Sequence, residues 1–268
     1  MSTAGRLAVV APRTGPRARW GRLFPPALLE HPAVEVFDDA ADPERSVAIA
    51  RRIAGSAGYS AVVGHFSSEA AGGALTAYRW AGIPVAFPLS SAPEITREHL
   101  DPDPGVIAPM PDNLAQAAVL FRAYRPAEAW AGPSADGLAG AWELLGGRVR
   151  PSVREILQQP GAGTLVVLGT LTDAEEAMRA VAEDGREVHV ALTDDSWVGS
   201  PDWDELPPGE RPRVVTSRPD PAVLVDRCAR HMLEAVERDL TGPELVTLWA
   251  ERYGVPVWEQ PRPVEVLR

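Results

Sequence analysis

The chain has 268 residues, 45% of them hydrophobic, and its 26 basic and 37 acidic side chains give a formal charge of −11. That is enough apolar material for one large core or two ordinary ones, and the negative balance opposes nonspecific binding to nucleic acid or anionic lipid. Every basic residue is an arginine, which excludes lysine Schiff-base chemistry, a phosphate-loop lysine and a lysine base.

In chain order, "MSTAGRLAVVAPRTG" holds no long apolar segment ahead of a first strand at 6–12. No later run approaches the ~20 apolar residues of a membrane span. A cytoplasmic location is therefore expected. Further strands are predicted at 34–38, 60–64 and 83–87, with helices between them in "DPERSVAIARRIAGSAG" and "SEAAGGALTAYRWAG". Asp42 followed by Pro43 is a start signal for the first of these helices, because aspartate caps and proline suits the first turn. "PLSSAPEITREHLDPDPG" reads as a loop, and "VIAPM" opens a second alternating set.

That set runs helix "PDNLAQAAVLFRAY", strand "AEAWAG", helix "ADGLAGAWELLGG", strand "TLVVLG", helix "DAEEAMRAVAEDG", strand "EVHVALT" and strand "RVVTSR". Alternation of this kind predicts an α/β fold of two Rossmann-like lobes with mainly parallel sheets. The first lobe is placed at 1–108 and the second at 109–218, with helices over 219–268 packing at or across the lobe interface. One of those helices carries the single cysteine, Cys228, which cannot form an intramolecular disulfide or a cysteine-rich metal site. Its helical surroundings predict a structural thiol.

The stretch "GHFSSEAAGG" at 64–73 raises the chemical question. A phosphate loop needs its glycines at the strand-to-helix turn, whereas Gly72 and Gly73 fall inside the predicted helix. Hydrolysis would need a base and an acid for Ser68, and His65 and Glu69 are neighbours, but the second glycine of a nucleophile elbow is missing. The five histidines show no paired metal spacing, and no metal or cofactor is expected. Serines at a helix start combine hydroxyls with free backbone N–H groups, which suits a carboxylate. "SSE" at 67–69 reads as such a cradle. A second serine loop, with Ser90 and Ser91, leaves strand 83–87 on the same sheet edge, where ligands bind in open α/β folds.

At these residues a resemblance becomes specific. "VVGHFSSEAAGGALTAYRWAGIPVAFPLSSAPEIT" (62–96) and "AVVAPRTGPRARWG" (8–21) resemble the leucine/isoleucine/valine-binding family of periplasmic solute-binding proteins, which have the type I periplasmic-binding-protein fold. The resemblance implies two lobes closing on a small amino-acid-like ligand, without a cofactor. It places Trp20 in the lining of the site, assigns Ser68 and Ser91 to the ligand carboxylate and ammonium, and gives the Leu89 carbonyl to the ammonium. In the second lobe it points to Asp136 or Ala135 where relatives carry an aromatic, to Thr170 and Leu171 where they often carry tyrosine, and to Asp194 or Asp195 as the acid for the ammonium. The missing aromatics separate this chain from branched-chain specificity. Two rivals stay open: a cytoplasmic sensor whose closure a partner protein reads, and an enzyme using Ser68, Glu69, His65 or Asp195 as acid and base groups.

Overall fold

The computed structural model describes residues 5–124, 128–133, 135–159, 163–193, 214–216, 220–254 and 264–265. The chain divides into two compact units, Met1–Met110 with Pro221–Val257, and Pro111–Asp220 with Trp258–Arg268.

The first unit opens with β1 (Arg6–Ala11), the short helices α1 (Ala18–Gly21) and α2 (Pro26–Leu29), β2 (Val34–Asp38), α3 (Pro43–Ala54) and β3 (Tyr59–Gly64). It continues through α4 (Ser68–Ala81), β4 (Val85–Ala86), α5 (Pro93–Thr96) and β5 (Val106–Ile107). The strands form one parallel sheet in the order β2-β1-β3-β4-β5, with Val9 opposite Val36 on one side and Val63 on the other. Asp42 caps α3 as expected, its carboxylate accepting from the Arg45 N–H at 2.7 Å. Gly82 ends α4 in the left-handed region, with φ 67°, a conformation that costs glycine little. Part of the stretch read as a loop after Pro88 winds into α5 instead, because Pro93 sits at its first turn, where a missing N–H costs nothing.

The second unit contains α6 (Asn113–Ala123), β6 (Glu128–Ala131), α7 (Asp136–Leu144), β7 (Arg148–Arg150), α8 (Val153–Leu157), β8 (Thr164–Leu168), α9 (Leu171–Asp184), β9 (His189–Leu192), β10 (Val214–Thr216) and β11 (Val264–Glu265). Its sheet has the order β11-β10-β9-β8-β6-β7 and is parallel except for the antiparallel β10–β11 pair. The mainly parallel α/β architecture expected from the sequence is therefore present in both units. β7 and α8 were not anticipated: "RVR" is too short and too charged to read as a strand. It is held on the edge by Arg150, whose guanidinium pairs with Glu128 across the β6–β7 register.

The C-terminal helices α10 (Pro221–Arg238) and α11 (Gly242–Tyr253) complete the first unit. Ala8, Val10 and Val62 belong to the core that includes residues of α3 and α4. Strand alternation puts Leu7, Val9, Ala61 and Val63 on the opposite face, and α10 packs against β1, β3 and β4. Buried residues of α10, among them Leu224, Val225, Cys228, Ala229, Met232 and Ala235, recur at three and four positions, the spacing of one helix face. Cys228, expected to be half-buried, is fully buried, and burial raises its thiol pKa, so it is a structural residue.

Candidate functional site

β1, β3 and β4 all run the same way, so the loops that follow them gather at one edge of the first sheet. β3 ends on Gly64, with φ 134°, where a Cβ would run into the Val10 carbonyl. His65 follows in the left-handed region with φ 56°, an uncommon conformation for a non-glycine residue. Two successive positive-φ residues turn the chain sharply and bring Ser67 to the cap of α4, where its Oγ accepts from the Ala70 N–H at 3.4 Å. The N–H groups of Ser68 and Glu69 have no partner within the helix. Gly72 and Gly73 lie inside α4, and Gly73 faces Val47 of α3, so neither belongs to a phosphate turn.

The second serine loop meets the first. Ser90 Oγ donates to Ser68 Oγ at 3.3 Å, and Leu89, Ser90 and Ser91 are buried. Ser68 is half-buried and Glu69 exposed, so the hydroxyl is reachable and the extra carboxylate stands beside it. Trp20, on α1 after the first strand, is buried. The loop leading to it is clamped by Asp38, whose carboxylate accepts from the N–H groups of Arg13 (2.8 Å), Thr14 (3.3 Å) and Ala40 (2.9 Å) and from Thr14 Oγ (2.6 Å). Burial opposes the Asp38 charge, but the Thr14 hydroxyl and these N–H donors outweigh it and hold the pKa at about 2.

Behind the loop lies a polar cluster that sequence reasoning did not find. Asp39, Ser46, His65 and Tyr78 are all fully buried. His65 Nε2 lies 2.8 Å from Tyr78 Oη and Nδ1 lies 3.5 Å from Asp39 Oδ2. Asp39 also accepts from Ser46 Oγ and the Ala41 N–H, both at 3.0 Å. Burial pushes the Asp39 pKa up, yet His65, the Ala41 N–H and Ser46 together bring it below the usual carboxylate value. Burial, reinforced by the Asp39 charge, raises Tyr78. This corrects the acid/base expectation for His65: both of its ring nitrogens face the protein interior, so it is not placed to activate Ser68. No local sequence pattern announces the cluster, because its members are far apart in the chain.

In the second unit Thr170 and Leu171 stand at the carboxyl end of β8. Thr170 caps α9: its Oγ1 accepts from the Asp173 N–H at 3.5 Å and donates to Asp173 Oδ2 at 2.8 Å, and the Thr170 N–H reaches the same carboxylate oxygen at 2.6 Å. Leu171 is buried. Asp136 opens α7 after β6, and Asp194 and Asp195 lie outside the described residues. Among the described residues, no group of three or more histidine, cysteine or acidic side chains could hold a metal ion, and no helix is long and apolar enough to cross a membrane.

No protein-family model matches the chain. Among solved structures, it is similar over 91% of its length to a leucine-binding protein from Thermotoga maritima, covering 86% of that chain at 16% identity with a TM-score of 0.67. The fold is that of the type I periplasmic-binding proteins. The same fold occurs in a solute-binding protein of an ABC transporter from Rhodopseudomonas palustris solved with 3,4-dihydroxybenzoic acid, with a TM-score of 0.67, 16% identity, and coverage of 97% of this chain and 87% of that one. By sequence, the chain is 31% identical over 107 residues to a leucine-, isoleucine-, valine-, threonine- and alanine-binding protein of Pseudomonas aeruginosa. That match takes in 34% of this chain and 28% of the relative, so the chain aligns with little more than a quarter of that protein's length. In type I periplasmic-binding terms, the serine loops occupy the carboxyl edge of the first sheet, the edge at which open α/β folds take ligands.

Proposed function

We propose that the protein is a solute-binding protein for a small amino-acid-like molecule, and that it seats the ligand's carboxylate on Ser68, Ser90, Ser91 and the first N–H groups of α4. The observation that carries this reading is the Ser90–Ser68 contact at 3.3 Å, which joins two separate loops at a helix start. Hydroxyls and backbone N–H groups stabilise a carboxylate without fixing a countercharge, and the helix dipole adds to them. The Pseudomonas aeruginosa relative, named for binding leucine, isoleucine, valine, threonine and alanine, supports an amino acid as the occupant. Leu89, through its carbonyl, is the proposed ammonium partner in the first unit, with Trp20 lining the site; Asp136, Thr170, Leu171 and Asp194 or Asp195 are the ligand-binding candidates that the resemblance names in the second unit.

A second occupant is supported by the relative solved with 3,4-dihydroxybenzoic acid: an aromatic acid would use the same carboxylate seat and need no ammonium partner. Isothermal titration of the purified full chain against the common L-amino acids and against hydroxybenzoates tests both. Saturable heat from an amino acid that its deaminated analogue does not give establishes the first reading. Heat from hydroxybenzoates alone establishes the second, and no heat from either series removes the proposal. Fractionation of the native host tests the cytoplasmic location, and a partner retained only when ligand is present would identify the sensor role.

A further inference from the structure

We infer that His65 is the positioning residue of the carboxylate-binding loop: as a neutral imidazole with its proton on Nδ1, it links Asp39 to Tyr78 and holds the left-handed turn that presents Ser67 and Ser68. The inference rests on the reading of that loop as a ligand seat, and it explains why a strained backbone and three buried polar groups stand behind a loop of small residues.

The proton assignment follows from donors and acceptors. The Nδ1 atom faces Asp39 Oδ2, 3.5 Å away, and makes no hydrogen bond to any described residue. An ionised carboxylate can only accept, so Nδ1 must carry the proton. Nε2 lies 2.8 Å from the Tyr78 hydroxyl, a buried donor that needs an acceptor. A neutral Nε2 supplies one. An imidazolium would instead donate to Tyr78 and leave the phenol proton without the acceptor it has in the neutral arrangement. Asp39 keeps its charge without a cation because Ser46 Oγ and the Ala41 N–H also donate to it. Among the described residues, the Phe87 ring also lies against His65, at 6.4 Å between centroids.

The chain of contacts joins three elements of the unit. Asp39 follows β2, His65 follows β3 and Tyr78 lies in the third turn of α4, while the His65 N–H bonds to the Val10 carbonyl at 3.0 Å. His65 is thereby tied at its backbone to β1 and at Nε2 to Tyr78, with Nδ1 facing the Asp39 carboxylate. A residue at φ 56° pays a conformational cost, and these ties are what hold it there.

The test uses the full chain labelled with 15N-histidine. At neutral pH the His65 resonances, assigned by their loss in His65→Asn, should show a protonated Nδ1 and an unprotonated Nε2. His65→Gly removes the ring but accepts the left-handed backbone, so amides of residues 67–71 should exchange about tenfold faster while those of β1 and β3 hold, the scale of one lost hydrogen bond. Affinity for L-leucine, or for p-hydroxybenzoate where that is the compound that titrates, should fall by a similar factor. His65→Asn tolerates positive φ and offers a donor where Nδ1 stood, so it should recover most of both losses. A protonated Nε2 at neutral pH, or a His65→Gly variant that exchanges and binds like the parent, overturns the inference. A parent protein that titrates with none of the L-amino acids or hydroxybenzoates removes the binding reading, while tautomer and exchange still decide the role of His65 in the loop.

Discussion

Ser90 donates its hydroxyl proton to Ser68 across 3.3 Å, although the two residues stand on different loops at the edge of the first sheet. Ser68 occupies the first turn of α4 while Ser67 does the capping, so adjacent serines have separable tasks. Ser68→Ala should weaken carboxylate binding by about 1–2 kcal/mol, one hydrogen bond to a charged group, with stability changed by less than about 0.5 kcal/mol. Ser67→Ala should do the reverse, costing about 1 kcal/mol of stability through the lost cap. Calorimetric titration and urea denaturation of the two variants side by side check the split.

Asp38 gives an acid-side prediction. Its folded pKa of about 2 lies below the ordinary 3.8, so its contribution is fully present above about pH 4 and disappears as pH falls toward 2. The contribution is at most about 2 kcal/mol, and solvent screening reduces it because part of the side chain faces water. Asp38→Asn should therefore be less stable than the parent at neutral pH and nearly equal to it near pH 2, by denaturant titration at the two pH values.

How far the sequence went can be judged from these residues. Asp42 with Pro43, and the serines ahead of "EAAGGALTAYRWAG", announce helix starts through neighbours three residues apart, and both starts lie where expected. The alternation of apolar runs likewise implied the parallel α/β architecture. The Asp39, His65 and Tyr78 cluster was not legible, because its members come from three elements and meet only once the sheet has formed. The pairing of Ser90 with Ser68 was legible because parallel strands send consecutive loops to one edge. α5 and β7 escaped because four and three residues carry too little period to read.

A second pH effect comes from the aromatic cluster under the C-terminal helices. His99 and His231 both present edge-on to Trp249, at 6.1 and 5.1 Å between ring centroids. Burial lowers the pKa of His99 to about 4 and also lowers that of His231. His99 Nδ1 accepts from the Ala108 N–H at 2.9 Å, so protonation would turn two donors toward each other. With folded pKa values below the unfolded one, the unfolded chain takes up protons first, and stability falls as pH drops from about 6.5 toward 4. For His99 this amounts to about 3 kcal/mol. His99→Gln, which keeps an acceptor for Ala108, should flatten the stability profile over that interval. An unchanged profile would mean that the acid sensitivity lies elsewhere.

The last prediction concerns the second unit, where Asp173 is wedged between two loops. Its carboxylate accepts from the Thr170 N–H and hydroxyl, and a Cβ at Gly132 or Gly169 would overlap Asp173. The two glycines directly follow strands β6 and β8, so the capping box of α9 is packed against the strand ends of its own sheet. Gly132→Ala should destabilise this unit by about 1–3 kcal/mol through overpacking, and Asp173→Ala by about 1 kcal/mol through the lost cap. Since the clash needs the Asp173 side chain, the double variant should lose less than the two singles added together, by more than the ~0.5 kcal/mol expected for independent sites. Additive losses in urea denaturation would show that Gly132 is required for the backbone rather than for the space Asp173 fills.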